Sequence, residues 1–233
     1  MHRFILKVFF ISFGLASSIA CDEPIFLKKC DGDCATVSGR LLTGAGKDPV
    51  ENITMKVRWY RYIYSGFNES KIVAQTRTNS DGSYILKFNA EEEGHYEVII
   101  ENPDEYFKLH DKEFHEFGLP SNINNDSALV RDYIMPFKAK LIIAFEDYMT
   151  TQNYYSLNIS FPLGVDFNQA SGYYISWSDA QSEYKHVVEV GALVPIYLRK
   201  TIVINDTTYL HEYDTITVGR DATYQYDLAF ARH

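Results

Sequence analysis

The sequence predicts an all-β protein built as two antiparallel β-sandwich domains in tandem. Three observations carry that expectation. The chain holds 18 Tyr and 15 Phe among 233 residues, and aromatic side chains favour pleated, half-buried strands. Short stretches of apolar–polar alternation recur along its length. No segment of about 12 residues or more carries a 3.6-residue periodicity. With 46% hydrophobic and 23% charged residues the chain can bury a core, so wholesale disorder and collagen-like repeats are excluded. Its 22 Lys and Arg against 31 Asp and Glu give a net charge of −9, which argues against a nucleic-acid binder working through a basic surface.

In the first half, Ile53, Met55, Val57 and Trp59 alternate with Thr54, Lys56, Arg58 and Tyr60. Tyr84, Leu86 and Phe88 alternate with Ile85 and Lys87, and Tyr96, Val98 and Ile100 with Glu97, Ile99 and Glu101. Such period-two runs mark strands with one buried face. Asn79-Ser80-Asp81-Gly82 between two of them predicts a hairpin, because Asp-Gly tolerates positive φ. Residues 104–127, with Pro120, Asn122, Asn124, Asn125 and many charges, read as irregular. In the second half, strands are expected at 138–146, 153–161, 172–178, 184–190, 193–205, 208–218 and 222–231. Tyr155, Leu157, Ile159 and Phe161 share one strand face; Ile196, Leu198, Ile202 and Ile204 share another, interrupted by Lys200. The boundary falls near Phe137, giving a first sandwich over 35–137 and a second β-rich domain over 138–233, with a single larger sandwich as the alternative.

Residues 1–20 read as a secretory leader: Arg3 and Lys7, then the apolar run from Val8 to Ala16, then small residues. The run is well short of the ~20 residues a membrane span needs. Two processing readings compete. Ser18-Ile19-Ala20 satisfies the small-x-small rule, which leaves Cys21 as a plain first residue of a secreted protein. Ser18-Ile19-Ala20-Cys21 also resembles the lipobox of bacterial lipoproteins, with Ser18 departing from the usual Leu. Cysteine arithmetic favours the second reading. Of three cysteines, acylation of Cys21 leaves Cys30 and Cys34 as an even pair for an oxidising compartment. Acyl chains such as palmitate would then hold the protein on the outer membrane, facing the periplasm or the surface. Asp22-Glu23 resembles the export signal of surface lipoproteins in the Bacteroidetes group. Residues 21–34 form a tether in which Cys30-Asp31-Gly32-Asp33-Cys34 reads as a disulfide-closed turn, against free thiols or a metal site.

Residues 36–101 resemble a carboxypeptidase regulatory-like domain, a transthyretin-like seven-stranded sandwich. The resemblance rests on Val37-Ser38-Gly39-Arg40-Leu41-Leu42, on Asp48-Pro49-Val50 before Met55-Lys56-Val57, on Thr76-Arg77-Thr78-Asn79-Ser80-Asp81-Gly82-Ser83-Tyr84, and on Gly94-His95-Tyr96-Glu97-Val98. It implies a non-catalytic module packed beside another unit. The hydroxyisourate hydrolases of the same fold end in Tyr-Arg-Gly-Ser, which the closing Tyr226-Asp227-Leu228-Ala229-Phe230-Ala231-Arg232-His233 does not match.

Catalytic constellations are sparse. His110-Asp111-Lys112-Glu113-Phe114-His115-Glu116 groups metal-ligand types, but its spacing is not that of a zinc helix, and a solvated loop is the favoured reading. On a strand, Glu212 and Asp214 of His211-Glu212-Tyr213-Asp214 share a face about 7 Å apart, the residue types a glycosidase pairs; a solvated face is favoured here too. There is no Gly-x-Ser-x-Gly elbow and no phosphate loop. The remaining candidates are aromatic: Trp59, Tyr60, Tyr62 and Tyr64 in the first half, Tyr173, Tyr174 and Trp177 in the second, with Trp59, Tyr62, Tyr173 and Trp177 singled out for stacking on a ligand. The expectation is a non-enzymatic, cofactor-free envelope module. It would be held to the membrane by Cys21 and partnered by envelope proteins or glycans. A carbohydrate-binding or carbohydrate-active second domain is the alternative.

Overall fold

The computed structural model describes residues 30, 32–63, 68–108, 113–145, 154–165, 170–177, 185–204 and 208–229. The leader, Cys21, Tyr64, residues 109–112 and the side chain of Trp177 lie outside the described residues.

The chain is all-β, in four sheets that face each other in two pairs. In the first pair, β1 (Ala35–Thr43) is the centre of a six-stranded sheet. It runs antiparallel to β2 (Asp48–Pro49) and β5 (Ser83–Phe88), and parallel to β8 (Ala128–Val130) and β9 (Tyr133–Ile134). A two-residue strand from further along, β12 (Gly164–Val165), adds to β9. The facing sheet runs β4 (Asn68–Arg77), β3 (Thr54–Tyr62), β6 (His95–Glu101), β7 (Phe114–Gly118). The alternating residues turn inward as their spacing requires: Met55, Val57 and Trp59 from β3, Tyr84, Leu86 and Phe88 from β5, Tyr96, Val98 and Ile100 from β6. Across the gap Phe88 meets Tyr96 with ring centroids 5.0 Å apart, and Phe117 meets Tyr133 at 5.1 Å.

The second pair sets β14 (Lys185–Ala192), β10 (Phe137–Phe145) and β17 (Thr223–Leu228) against a sheet ordered β13 (Ala170–Trp177), β11 (Tyr154–Pro162), β15 (Ile196–Ile204), β16 (Thr208–Ile216). Tyr155, Leu157, Ile159 and Phe161 all point into this core, as do Ile196, Leu198, Lys200 and Ile202. Pairing is antiparallel throughout the described residues except at β1–β8, β1–β9 and β10–β17. One contiguous apolar cluster runs through both pairs of sheets.

Two local expectations change. The Asn79-Ser80-Asp81-Gly82 turn forms: Gly82 has φ 76° and its N–H donates to the Asn79 carbonyl at 2.9 Å. It does not close a hairpin. Thr78 N–H still bonds the Ile53 carbonyl at 3.0 Å, which keeps β4 on β3. Beyond the turn the Gly82 carbonyl accepts from Leu41 N–H at 2.9 Å, which starts β5 on β1. The turn is therefore a corner between sheets. β1 supplies a backbone edge beside which Tyr84, Leu86 and Phe88 are buried, whereas pairing with β4 would leave that edge empty. The second change is in residues 104–127, which contain β7. Its buried positions are His115 and Phe117, so a histidine stands where an apolar residue would have signalled the strand. Tyr106 and Phe107 are also buried. Tyr106 stacks on Phe137 at 4.9 Å, and Phe107 meets Phe161 edge-on at 4.8 Å. These contacts join the first half to the second, each buried aromatic contributing about 1.5–3 kcal/mol of transfer free energy.

Candidate functional site

Cys30 and Cys34 form a disulfide, with Cα atoms 6.1 Å apart, just ahead of β1. Trp59 is a core residue, 4% exposed. Its indole N–H donates to the Glu93 carbonyl at 2.7 Å, and Lys71 Nζ and the Arg61 guanidinium lie 5.0 and 5.7 Å from its ring. Tyr62, 67% exposed, stands at the end of β3 with Tyr60 and His95, centroids 5.6 and 6.1 Å away. Tyr173 points inward, its ring 6.5 Å from Phe107. The backbone of Trp177 pairs with Tyr155 at the start of β11.

The acidic constellation of β16 assembles differently from a catalytic pair. Register places Glu212 opposite Lys200 and Asp214 opposite Leu198, so both carboxylates share the inward side. Lys200, 7% exposed, lies 2.8 Å from Glu212 and 3.2 Å from Asp214 and donates to the Ala229 carbonyl at 3.0 Å. The Tyr226 hydroxyl of β17 donates to Asp214. That hydrogen bond holds the Asp214 carboxyl below the usual range, against its partial burial, and Lys200 adds to it. Burial by itself would lower the Lys200 ammonium; hydrogen bonds from it to Glu212 and Asp214 more than offset this and raise it. Burial raises Tyr226, and the neighbouring Asp214 raises it further. A general acid at neutral pH needs a raised carboxyl. Here Asp214 is held ionised and both carboxylates close around a buried cation, which is the chemistry of a structural clasp between two sheets.

His115 and Glu116 of the metal-ligand group lie on opposite sides of β7. His115 Nε2 is 3.0 Å from the Phe107 carbonyl and 2.9 Å from Asn102 Nδ2, both buried, while Glu116 accepts from Arg58 at 2.8 Å on the outer side. Among the described residues no group of three or more His, Cys, Asp or Glu could hold a metal ion.

Strand register joins one aromatic candidate, Tyr174, to residues that the sequence did not single out. Tyr174 of β13 pairs with Asn158 of β11, Asn158 with Arg199 of β15, and Arg199 with Tyr213 of β16. The four form one transverse row on the outer side of their sheet, because each neighbours an inward residue along its strand. Strands lie about 4.8 Å apart, so the row spans roughly 14 Å. Tyr174 and Tyr213 at its ends are 62% and 71% exposed. The next row holds Ser160, Tyr197 and Thr215. Together Asn158, Ser160, Tyr197, Arg199, Tyr213 and Thr215 line an open groove of about 280 Å³, with Leu198 and Asp214 at its floor and margin. Arg40, Arg58, Arg61, Arg77 and Arg220 each hold a carbonyl or carboxylate oxygen. Among the described residues the guanidinia of Arg131 and Arg199 have no such partner, and Arg199 is the one that lines this groove. The signal available in sequence was the parity of Asn158, Arg199 and Tyr213 against the inward Leu157, Leu198 and Glu212, but the cross-strand register is not written in any one strand.

No family model matches the chain, and no curated protein matches its sequence. Similar solved structures include the TIE protein of Bacillus anthracis, at 11% identity and a TM-score of 0.29 over 84% of this chain and 33% of that one. The shaft pilin SpaA of Lactobacillus rhamnosus GG matches at 11% identity and TM-score 0.31 over 86% and 100% of the two chains. A streptococcal ancillary pilin matches at 11% and 0.31 over 85% and 63%. The chain thus spans about a third of the TIE protein's length. At these TM-scores the likenesses carry no inference about function.

Proposed function

We propose that the protein is a non-catalytic cell-envelope module, lipid-anchored through Cys21, that binds through the outer face of β13, β11, β15 and β16. The carrying observation is the row Tyr174–Asn158–Arg199–Tyr213: two exposed aromatic platforms flank an amide and a guanidinium without a carboxylate partner. Tyrosines with an apolar face and a polar tip, set around a few hydrogen-bonding groups, are the composition of a recognition surface. The engagement of Glu212 and Asp214 with Lys200, and the depressed Asp214 carboxyl, support a binding role over acid–base turnover. The disulfide of Cys30 and Cys34 leaves Cys21 as the odd thiol, which is what an acylated first residue would be. The carboxypeptidase regulatory-like assignment of the first half belongs to the same proposal, supported by its quoted segments forming β1, β3, β5 and β6 of two facing sheets with the Asp-Gly turn between β4 and β5. A glycan is the ligand class that the exposed tyrosines of the second half favour, in preference to a carbohydrate-active site.

The test of the anchor is expression of the full chain in a Gram-negative host with labelled palmitate. Label on the protein and recovery in the membrane fraction are expected, with both lost in Cys21→Ser. Membrane recovery unchanged in Cys21→Ser, or a first residue of unmodified mass, would refute it.

A further inference from the structure

We propose that the outer row binds an acidic oligosaccharide. Arg199 receives a uronate carboxylate, and Tyr213 and Tyr174 carry the sugar rings on either side; this rests on the binding reading above. The first support is charge. In a chain of net charge −9, Arg58, Arg61, Lys71, Lys108 and Lys200 each have a carboxylate within 3.2 Å or less, whereas Arg199, like Arg131, has none, and Arg199 lines the groove beside the exposed Tyr213. The carboxylates flanking its cross-strand partner Tyr213, Glu212 and Asp214, sit on the inward side of β16. Asp214 also borders the groove, but it is engaged by Lys200 and Tyr226. A planar guanidinium in this setting takes a ligand carboxylate bidentately.

The second support is shape. A standard protein partner covers about 800 Å² per side. The groove of about 280 Å³ falls just under the roughly 300 Å³ at which ligand pockets begin, which fits contact with part of an extended ligand. Apart from Asp214, which Lys200 and Tyr226 engage, the polar groups beside Arg199 are neutral donors and acceptors: the Asn158 amide, the Ser160 and Thr215 hydroxyls and the Tyr197 phenol. Those suit ring hydroxyls. Pyranose rings present C–H faces that stack on phenol rings, and the two exposed tyrosines stand at the ends of the row. The net charge of the protein opposes a polyanion at long range, screened beyond about 8 Å at physiological ionic strength. Recognition is therefore a contact with one carboxylate, and a tetramer binds as well per site as a long polymer.

The experiment is calorimetric titration of the full-length chain in detergent with tetragalacturonate, its methyl ester, cellotetraose and tetraglutamate. The acid is expected to bind at least about tenfold more tightly than its ester, the range of a charge-assisted hydrogen bond. Arg199→Gln should erase that preference without moving the thermal midpoint. Tyr213→Ala should weaken acid and ester alike. Equal affinity for acid and ester, with both lost in Tyr213→Ala, overturns the charge selection while leaving a binding face. Tetraglutamate matching tetragalacturonate overturns the sugar assignment. No saccharide bound at about 10 mM, weaker than any useful site, overturns the proposal outright. None of these outcomes touches the Cys21 attachment, which has its own measurement.

Discussion

Replacing Lys200 by Met tests how the second pair of sheets is clasped. The substitution keeps an unbranched side chain of similar length, so packing changes little, and removes the one cation between Glu212 and Asp214. Breaking a buried ion pair by deleting one partner costs about 3–5 kcal/mol, because a charge is left buried and alone. Here the carboxylates keep some water, with side-chain exposures of 24% and 44%, and Tyr226 still donates to Asp214. The expected loss is therefore about 2 kcal/mol, or roughly 4–8 °C in melting temperature for a chain of this size. Urea unfolding at pH 7 should show a lower midpoint with an unchanged slope. Adding Glu212→Gln and Asp214→Asn to Lys200→Met removes the orphaned charges and should recover most of the loss. The pH dependence follows from the shifts. Asp214 is depressed when folded, so its contribution is present above the unfolded value near 3.9 and is lost as pH falls through the folded value. Lys200 is raised when folded, so its contribution is present below about 10.4 and is lost as pH rises through the folded value. The penalty of Lys200→Met should accordingly shrink below about pH 4, where the carboxylates protonate. A midpoint shift worth under about 0.5 kcal/mol, or a triple variant no more stable than the single one, would refute the clasp.

Gly94→Ala should destabilise by at least about 2 kcal/mol and perturb tryptophan fluorescence. Gly94 has φ 121°, and a Cβ there would collide with Nε1 of the Trp59 ring and come within 2.9 Å of the Tyr60 carbonyl. Phe107→Ala removes the ring that meets Phe161 and Tyr173, and should cost about 3–5 kcal/mol in equilibrium unfolding. Reducing the Cys30–Cys34 bridge, which closes a separation of four residues, should cost no more than about 2 kcal/mol on the loop-entropy scale, read as a small shift in thermal midpoint.

Much of the strand content was legible because period-two alternation and burial are the same fact seen twice. Tyr155, Leu157, Ile159 and Phe161 read as one face and form one. What alternation could not reveal is which strand a face pairs with. The Asp-Gly corner shows this: the turn chemistry was readable at Gly82, but its strands join different sheets, a choice made by the long-range edge of β1. Lys200 was visible as a break in an apolar run. Its meaning depends on Glu212, Asp214 and Ala229, which reach it only through register and sheet packing. The strand β7 escaped notice because His115 fills a core position through polar contacts with Asn102 and Phe107. The outer row was hidden for the same reason as the clasp, since Tyr174, Asn158, Arg199 and Tyr213 come from four strands and only Tyr174 stood out in the sequence.

The parallel pairing of β1 with β9 also decides how the first half answers to force. Pulling on the segment ahead of Ala35 draws β1 toward its start, while the second half, leaving through Met135 and Pro136, draws β9 toward its end. Parallel neighbours dragged in opposite directions slide, so their hydrogen bonds are stretched together in shear instead of opening one after another. An anchored molecule wired in this way would resist tugging on whatever it holds far better than its equilibrium stability alone implies.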